Sequence, residues 1–350
     1  MDDGDEIEYS RALVQIVDEI TAVPTKPAWI RRHGKDEETA ALPPILPEEF
    51  VNLATQKRVT PKQACSYLYN LKIDIQKRPL SERGPDDEAR QVGGRVLLWL
   101  RSQDMNVRDQ LSLNHRFVGC ISYFLVVEGR EEFVWSWLLH ELSNEKLHCF
   151  PSGRHAWVAA IMKAQRKVSG TVDLPLRTLQ RALNGFQGPY LRDVVMAAAR
   201  VAQMMIQDTT LAPYDPTLAE AVLSAIERAF LPGSAARKRR IAEMMLFHPT
   251  HPNARLFLDA APAHLEVVMK TNRDAIIDAF GSNAMRAAYI LRLQSADEKA
   301  NWLEDLLRSR IPKVWSARSI ALFHLNHDPK LEGLRRSYKG QIPPTFDHWG

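Results

Sequence analysis

Cysteine is scarce in this chain: Cys65, Cys120 and Cys149 are odd in number and widely spaced. That leaves no basis for a disulfide framework and suits a reducing compartment, so an intracellular protein is expected. Long apolar runs are missing as well. No stretch approaches the ~18 uncharged apolar residues that a spanning helix needs, so no membrane span is expected. Few runs alternate apolar and polar residues with β-branched enrichment, which argues against a sheet. A phosphate-cradling Gly loop, a nucleophile elbow, an HExxH motif and paired CxxC motifs are all absent. Nothing therefore points to an enzyme, and no cofactor is implied. His324 and His327 stand three apart with Asp328 next, but no third ligand has a suitable spacing, so no metal is expected.

What is present is an ordinary globular composition. Apolar residues make up 45% and charged residues 25% of 350, enough for a sizeable core. The net charge of +4 hides an asymmetry. Residues 1–88 carry 12 Lys+Arg against 17 Asp+Glu, which leaves 34 against 25 over residues 89–350. A basic body behind an acidic leader suits a polyanionic partner such as RNA, although a solvated helical surface has the same balance. The start, Met1-Asp2-Asp3-Gly4-Asp5-Glu6, resembles neither a secretory signal nor an Arg-rich transit peptide.

Helical periodicity dominates the rest. Ile7, Leu13, Val14, Val17 and Ile20 predict a helix to about residue 22, and the five prolines over 24–47 predict a connector. Pro47-Glu48-Glu49 opens a helix, and Thr60-Pro61 opens another with Thr as cap. Residues 79–88 are rich in Pro, Gly and Asp and read as a boundary, with Asp86-Asp87-Glu88 capping the next helix. Four segments result: a leader over 1–46, a small helical segment over 47–85, a helical-hairpin array over 86–340 and a tail over 341–350. Within the array the expected helices span 92–100, 116–128, 131–142, 155–168, 174–183, 191–207 and 217–230. Further helices are expected over 235–247, 253–260, 264–280, 283–293, 296–309 and 313–325. His248-Pro249-Thr250-His251-Pro252 reads as a rigid turn.

Three hairpins begin near residues 115, 155 and 191, spacings of 40 and 36 that match two-helix solenoid repeats. The predicted fold is all-α, an α-solenoid of antiparallel hairpins. An irregular helical bundle accounts for the same helices. The segment from Phe117 to Glu132, with Gly129 at its turn, and its continuation from Phe133 to Leu142 resemble a pentatricopeptide-type hairpin of the divergent fungal type. Residues 155–183 resemble a second copy. That family implies an α-solenoid and, in many members, single-stranded RNA binding in mitochondria. Matched polar pairs are not found at the positions where such proteins read bases, so no site residue carries over.

Two cationic groups stand out. Arg237-Lys238-Arg239-Arg240 is the densest basic run, and four adjacent cations cannot all face a core. Arg154, Lys163, Arg166 and Lys167 recur on one helix near Trp157. Cations neutralise phosphates, and rings among them can stack bases. Trp157 reads as a core residue, as do Trp99, Trp135, Trp137, Trp302 and Trp315, because aromatics dominate buried area. The reading is a non-catalytic helical-repeat factor that binds single-stranded RNA. A protein–protein scaffold on the same fold is the alternative, and an enzyme in a helical bundle is the third.

Overall fold

Thr60 illustrates how local chemistry sets the helix ends. Its hydroxyl accepts the Gln63 N–H at 3.3 Å, and the Gln63 side chain accepts the Thr60 N–H at 2.9 Å. This reciprocal box starts a helix with Pro61 at its first position. Asp104, Asn114, Asp215 and Ser234 cap four more helices by accepting a main-chain N–H.

The computed structural model describes residues 47–56, 58–77, 89–143, 154–186, 189–208, 212–271, 273–316 and 318–337. Among these, 17 α-helices hold 83% of the residues and no strand occurs. All lie within one unit that begins at Pro44. The leader helix, its connector, the acids at 86–88 and the tail fall outside the described residues. No described helix is long and apolar enough to cross a membrane.

The first four helices are α1 (Pro47–Thr55), α2 (Pro61–Lys77), α3 (Ala89–Ser102) and α4 (Met105–Ser112). α4 lies outside the expected helices, because eight residues are too few to show a period. Both α2 and α3 pack on the helix that follows α4, α5 (His115–Val127). Helices on either side of the expected boundary near residue 85 thus share one support. The α3–α5 approach depends on Gly93, where an added Cβ would lie 2.9 Å from the Leu125 nitrogen. The Glu128 carboxylate then accepts the N–H groups of Gly93 (2.5 Å) and Gly94 (3.0 Å), a second tie between α3 and the end of α5.

The three expected hairpins are present. α5 pairs with α6 (Glu131–Ser143), α7 (Arg154–Ser169) with α8 (Asp173–Gly185), and α9 (Pro189–Ile206) with α10 (Pro216–Ala229). Gly129, at φ +63°, makes the first joint: Arg130 N–H bonds to Leu125 C=O at 2.7 Å and Gly129 N–H to Val126 C=O at 3.1 Å. Only a residue without a Cβ takes this left-handed conformation cheaply. α7 packs on both α5 and α9, forming one layer. In the other layer α8 packs on α10, and meets α6 where Arg181 pairs with Glu132 and Trp135 meets Phe186.

Beyond α10 come α11 (Ala235–Met245), α12 (Arg255–Thr271), α13 (Asp274–Leu293), α14 (Asp297–Arg310), α15 (Pro312–Ser316), α16 (Arg318–His327), a 3-10 turn (Pro329–Leu331) and α17 (Glu332–Ser337). Two expected breaks fail here. α12 runs through Pro262, whose exposed position lets water serve the carbonyl that proline cannot. α13 runs through Gly281, which serves close packing: a Cβ there would lie 2.3 Å from Val314. The helix stops instead at Ser295 (φ +58°), where Ala296 N–H bonds to Leu291 C=O at 2.9 Å.

Trp99, Trp135 and Trp157 are buried as expected. Trp302 is not: it is 44% exposed on α14, while Trp315 is half-buried. The Trp137 side chain is outside the described residues. The C-terminal helices close back on the middle of the chain. Lys330 Nζ donates to the carbonyls of Ile206 (2.9 Å) and Asp208 (2.5 Å), more than 120 residues away.

Candidate nucleic-acid interface

The four cations from 237 to 240 do not act together. Capped by Ser234, α11 points successive side chains in different directions. Arg237 pairs with Glu227 of α10 at 3.0 Å. Lys238 is exposed and makes no ion pair among the described residues. Arg240 Nη1 reaches inward to the Glu243 carboxylate (2.9 Å) and the Gln203 carbonyl oxygen (3.0 Å). Arg239 is half-buried beside them.

The α7 group divides similarly. Arg154 begins the helix, but its side chain is outside the described residues. Arg166 pairs with Asp208 beyond the end of α9. Lys163 and Lys167 are both exposed and, four residues apart, share a face of α7. Trp157 is buried, so it stacks no base.

Folding joins what remains of the two groups through a residue that sequence reasoning passed over. Arg200, half-buried on α9, lies between Lys163 and Arg240, close enough for their charges to act on one another. Burial, and then the charge of Arg240, pull its guanidinium down to about 10. Its Nη1 is buried with no hydrogen-bond partner among the described residues. Burial and then Arg200 likewise lower Lys163, although its side chain reaches solvent. Partial burial produces that combination: neighbouring atoms displace some water from the side chain although the residue as a whole is exposed. Arg239 is lowered by burial and by Arg240, against the attraction of Glu243.

Glu243 is the carboxylate beside Arg239 and Arg240. Burial raises it, but Arg240, His264, Arg239 and the Gln203 amide outweigh that and hold it below the usual carboxylate range. Gln203 Nε2 donates to it at 2.7 Å, and His264 Nε2 stands 3.7 Å away. Burial drives His264 down to about 4, so it is neutral at physiological pH. Arg239 and Arg240 of α11 offset this carboxylate, while Arg200 of α9 and Lys163 of α7 continue the row of positive charge with no carboxylate acting on either among the described residues.

The sequence carried one faint signal of this. Arg200 is a single cation in the otherwise uncharged run from Val194 to Ile206, where a charge must either find a partner or line an opening. His248 and His251 form the expected turn, with His248 Nδ1 accepting the His251 N–H at 3.1 Å. No cluster of three or more His, Cys, Asp or Glu that could hold a metal occurs among the described residues. No family model matches the chain, and neither a curated protein nor a solved structure matches it.

Proposed function

We propose that the protein is a non-catalytic helical-repeat factor that binds single-stranded RNA along the strip Lys163, Arg200, Arg239 and Arg240. The observation that carries the reading is Arg200. A half-buried guanidinium flanked by cations, with no ion pair among the described residues, favours an anion where its edge reaches solvent. A phosphodiester supplies that anion and gains from each cation in the row. The stacking of α5, α7 and α9 supports a solenoid of hairpins, in which successive helices set cations at a repeating distance. The pentatricopeptide resemblance agrees with this arrangement, and a mitochondrial location belongs to the reading through that resemblance alone.

Equilibrium binding of a labelled oligouridylate, followed by fluorescence anisotropy against salt, tests it. Each lost contact to a single strand flattens log affinity against log salt by about 0.7. Lys163→Gln with Arg200→Gln should therefore lower the slope by about 1.4 and weaken binding, with unfolding unchanged, since neither side chain holds a buried partner. Changing all four of residues 237 to 240 to Gln is a poorer test, because loss of Arg240 strands the buried Glu243. No binding by the intact protein at ~50 mM salt, where electrostatic association is strongest, refutes the reading and leaves the scaffold.

A further inference from the structure

A second opening lies where α2, α5 and α7 meet, with a volume of about 340 Å³. Tyr69 and Lys72 line it from α2, His115, Arg116 and Cys120 from α5, and Lys167 from α7. Among the described residues no carboxylate lines it. Arg116 is exposed, makes no ion pair among the described residues, and lays its guanidinium over the Tyr69 ring with Cζ 3.3 Å from the ring centre. Lys72 donates to the Gly119 carbonyl at 3.2 Å, and its ammonium lies 5.2 Å from the centre of the Tyr123 ring. His115 and Arg116 are the first two residues of α5, so the positive end of that helix borders the opening.

From this juxtaposition we propose that the pocket between α2, α5 and α7 binds a nucleoside monophosphate unit. Three basic side chains and a histidine, from three helices, select an anion that accepts from several directions, as a phosphate monoester does. The volume sits at the small end of ligand sites and exceeds what a phosphate alone fills, so a group attached to the phosphate shares it. The Tyr69 ring and the Arg116 guanidinium offer flat surfaces for a base. The unit is either a free nucleotide or the 5′ end of a strand. Lys167 lies on the same face of α7 as Lys163, so the pocket borders the cationic strip, but its chemistry does not require that strip to bind RNA.

Calorimetric titration of the full-length protein with AMP, adenosine, and a tetranucleotide with and without a 5′-phosphate tests the proposal. AMP should bind and adenosine should not. Preference for the 5′-phosphorylated tetranucleotide assigns a strand end, whereas binding of AMP alone assigns a free nucleotide. Arg116→Gln and Lys167→Gln, both at exposed positions, should each weaken AMP by about tenfold, the usual loss for one charge-assisted contact. Arg200→Gln should leave AMP binding as it was, so failure of the pocket and failure of the strip are told apart. Equal binding of adenosine and AMP overturns the proposal. So does AMP affinity that neither substitution changes, or no AMP binding at millimolar concentration.

Discussion

Replacing Asp328 with alanine should be among the most damaging single changes in this protein. Its side chain is fully buried and pairs with Arg286 of α13, itself only 1% exposed. The guanidinium has little else to turn to. Nε donates to the Leu246 carbonyl at 2.8 Å, the group lies over Phe247 at 4.1 Å, and Nη2 already has no partner among the described residues. Burial pulls Arg286 below its ordinary value, and Asp328 opposes that pull. Removing the carboxylate therefore leaves a buried cation uncompensated, which costs roughly 3–5 kcal/mol. Asp328 also accepts the Lys330 N–H at 2.9 Å, a cap worth about 1 kcal/mol more. At about 2.1 cal/mol/K per residue, each kcal/mol moves the midpoint of a 350-residue chain by ~1.4 °C, so the thermal midpoint by circular dichroism should fall by roughly 5–8 °C. The double change Arg286→Met with Asp328→Leu should recover much of the loss, because apolar groups of similar volume replace a buried pair at little cost. An Asp328→Ala protein within ~0.5 kcal/mol of wild type, the range of neutral surface changes, would refute the argument.

Acid should act through His264. Burial, with Arg239 and Arg240 adding to it against Glu243, lowers the imidazole to about 4, while the unfolded chain takes up its proton near 6.5. The contribution is complete above pH 6.5 and is lost as pH falls towards 4, about 3 kcal/mol in all. Urea midpoints at both ends of that window should show the loss in wild type and a smaller one in His264→Phe; equal slopes would count against it. Gly129→Val should destabilise by about 1–2 kcal/mol, the cost of left-handed backbone. No heavy atom lies within 4 Å of the position a Cβ would take, so crowding adds nothing and Gly129→Asn should cost less. Identical thermal midpoints for wild type and Gly129→Val would place the turn elsewhere.

The helices were legible in the sequence because their causes are local. Apolar spacing, Thr60-Pro61 and the glycine at 129 act within a turn or two of themselves, and the same chain positions carry helices, caps and a left-handed joint in the structure. The hairpin starts near 115, 155 and 191 followed from the same signals. Pro262 and Gly281 misled for a tertiary reason: an exposed helix face excuses a proline, and Val314 requires a glycine, neither of which is visible within a window of neighbours. The cations were visible as residue types, but their partners were not. Arg240 meets Glu243 within its own helix, but whether Arg237 meets Glu227 and Arg166 meets Asp208, and whether Glu243 is buried, depends on how different helices pack. Charge density along a sequence measures supply. Only the packing of α7, α9 and α11 decided which charges are spent within the protein and set Arg200 among cations that repel it, with no ion pair among the described residues.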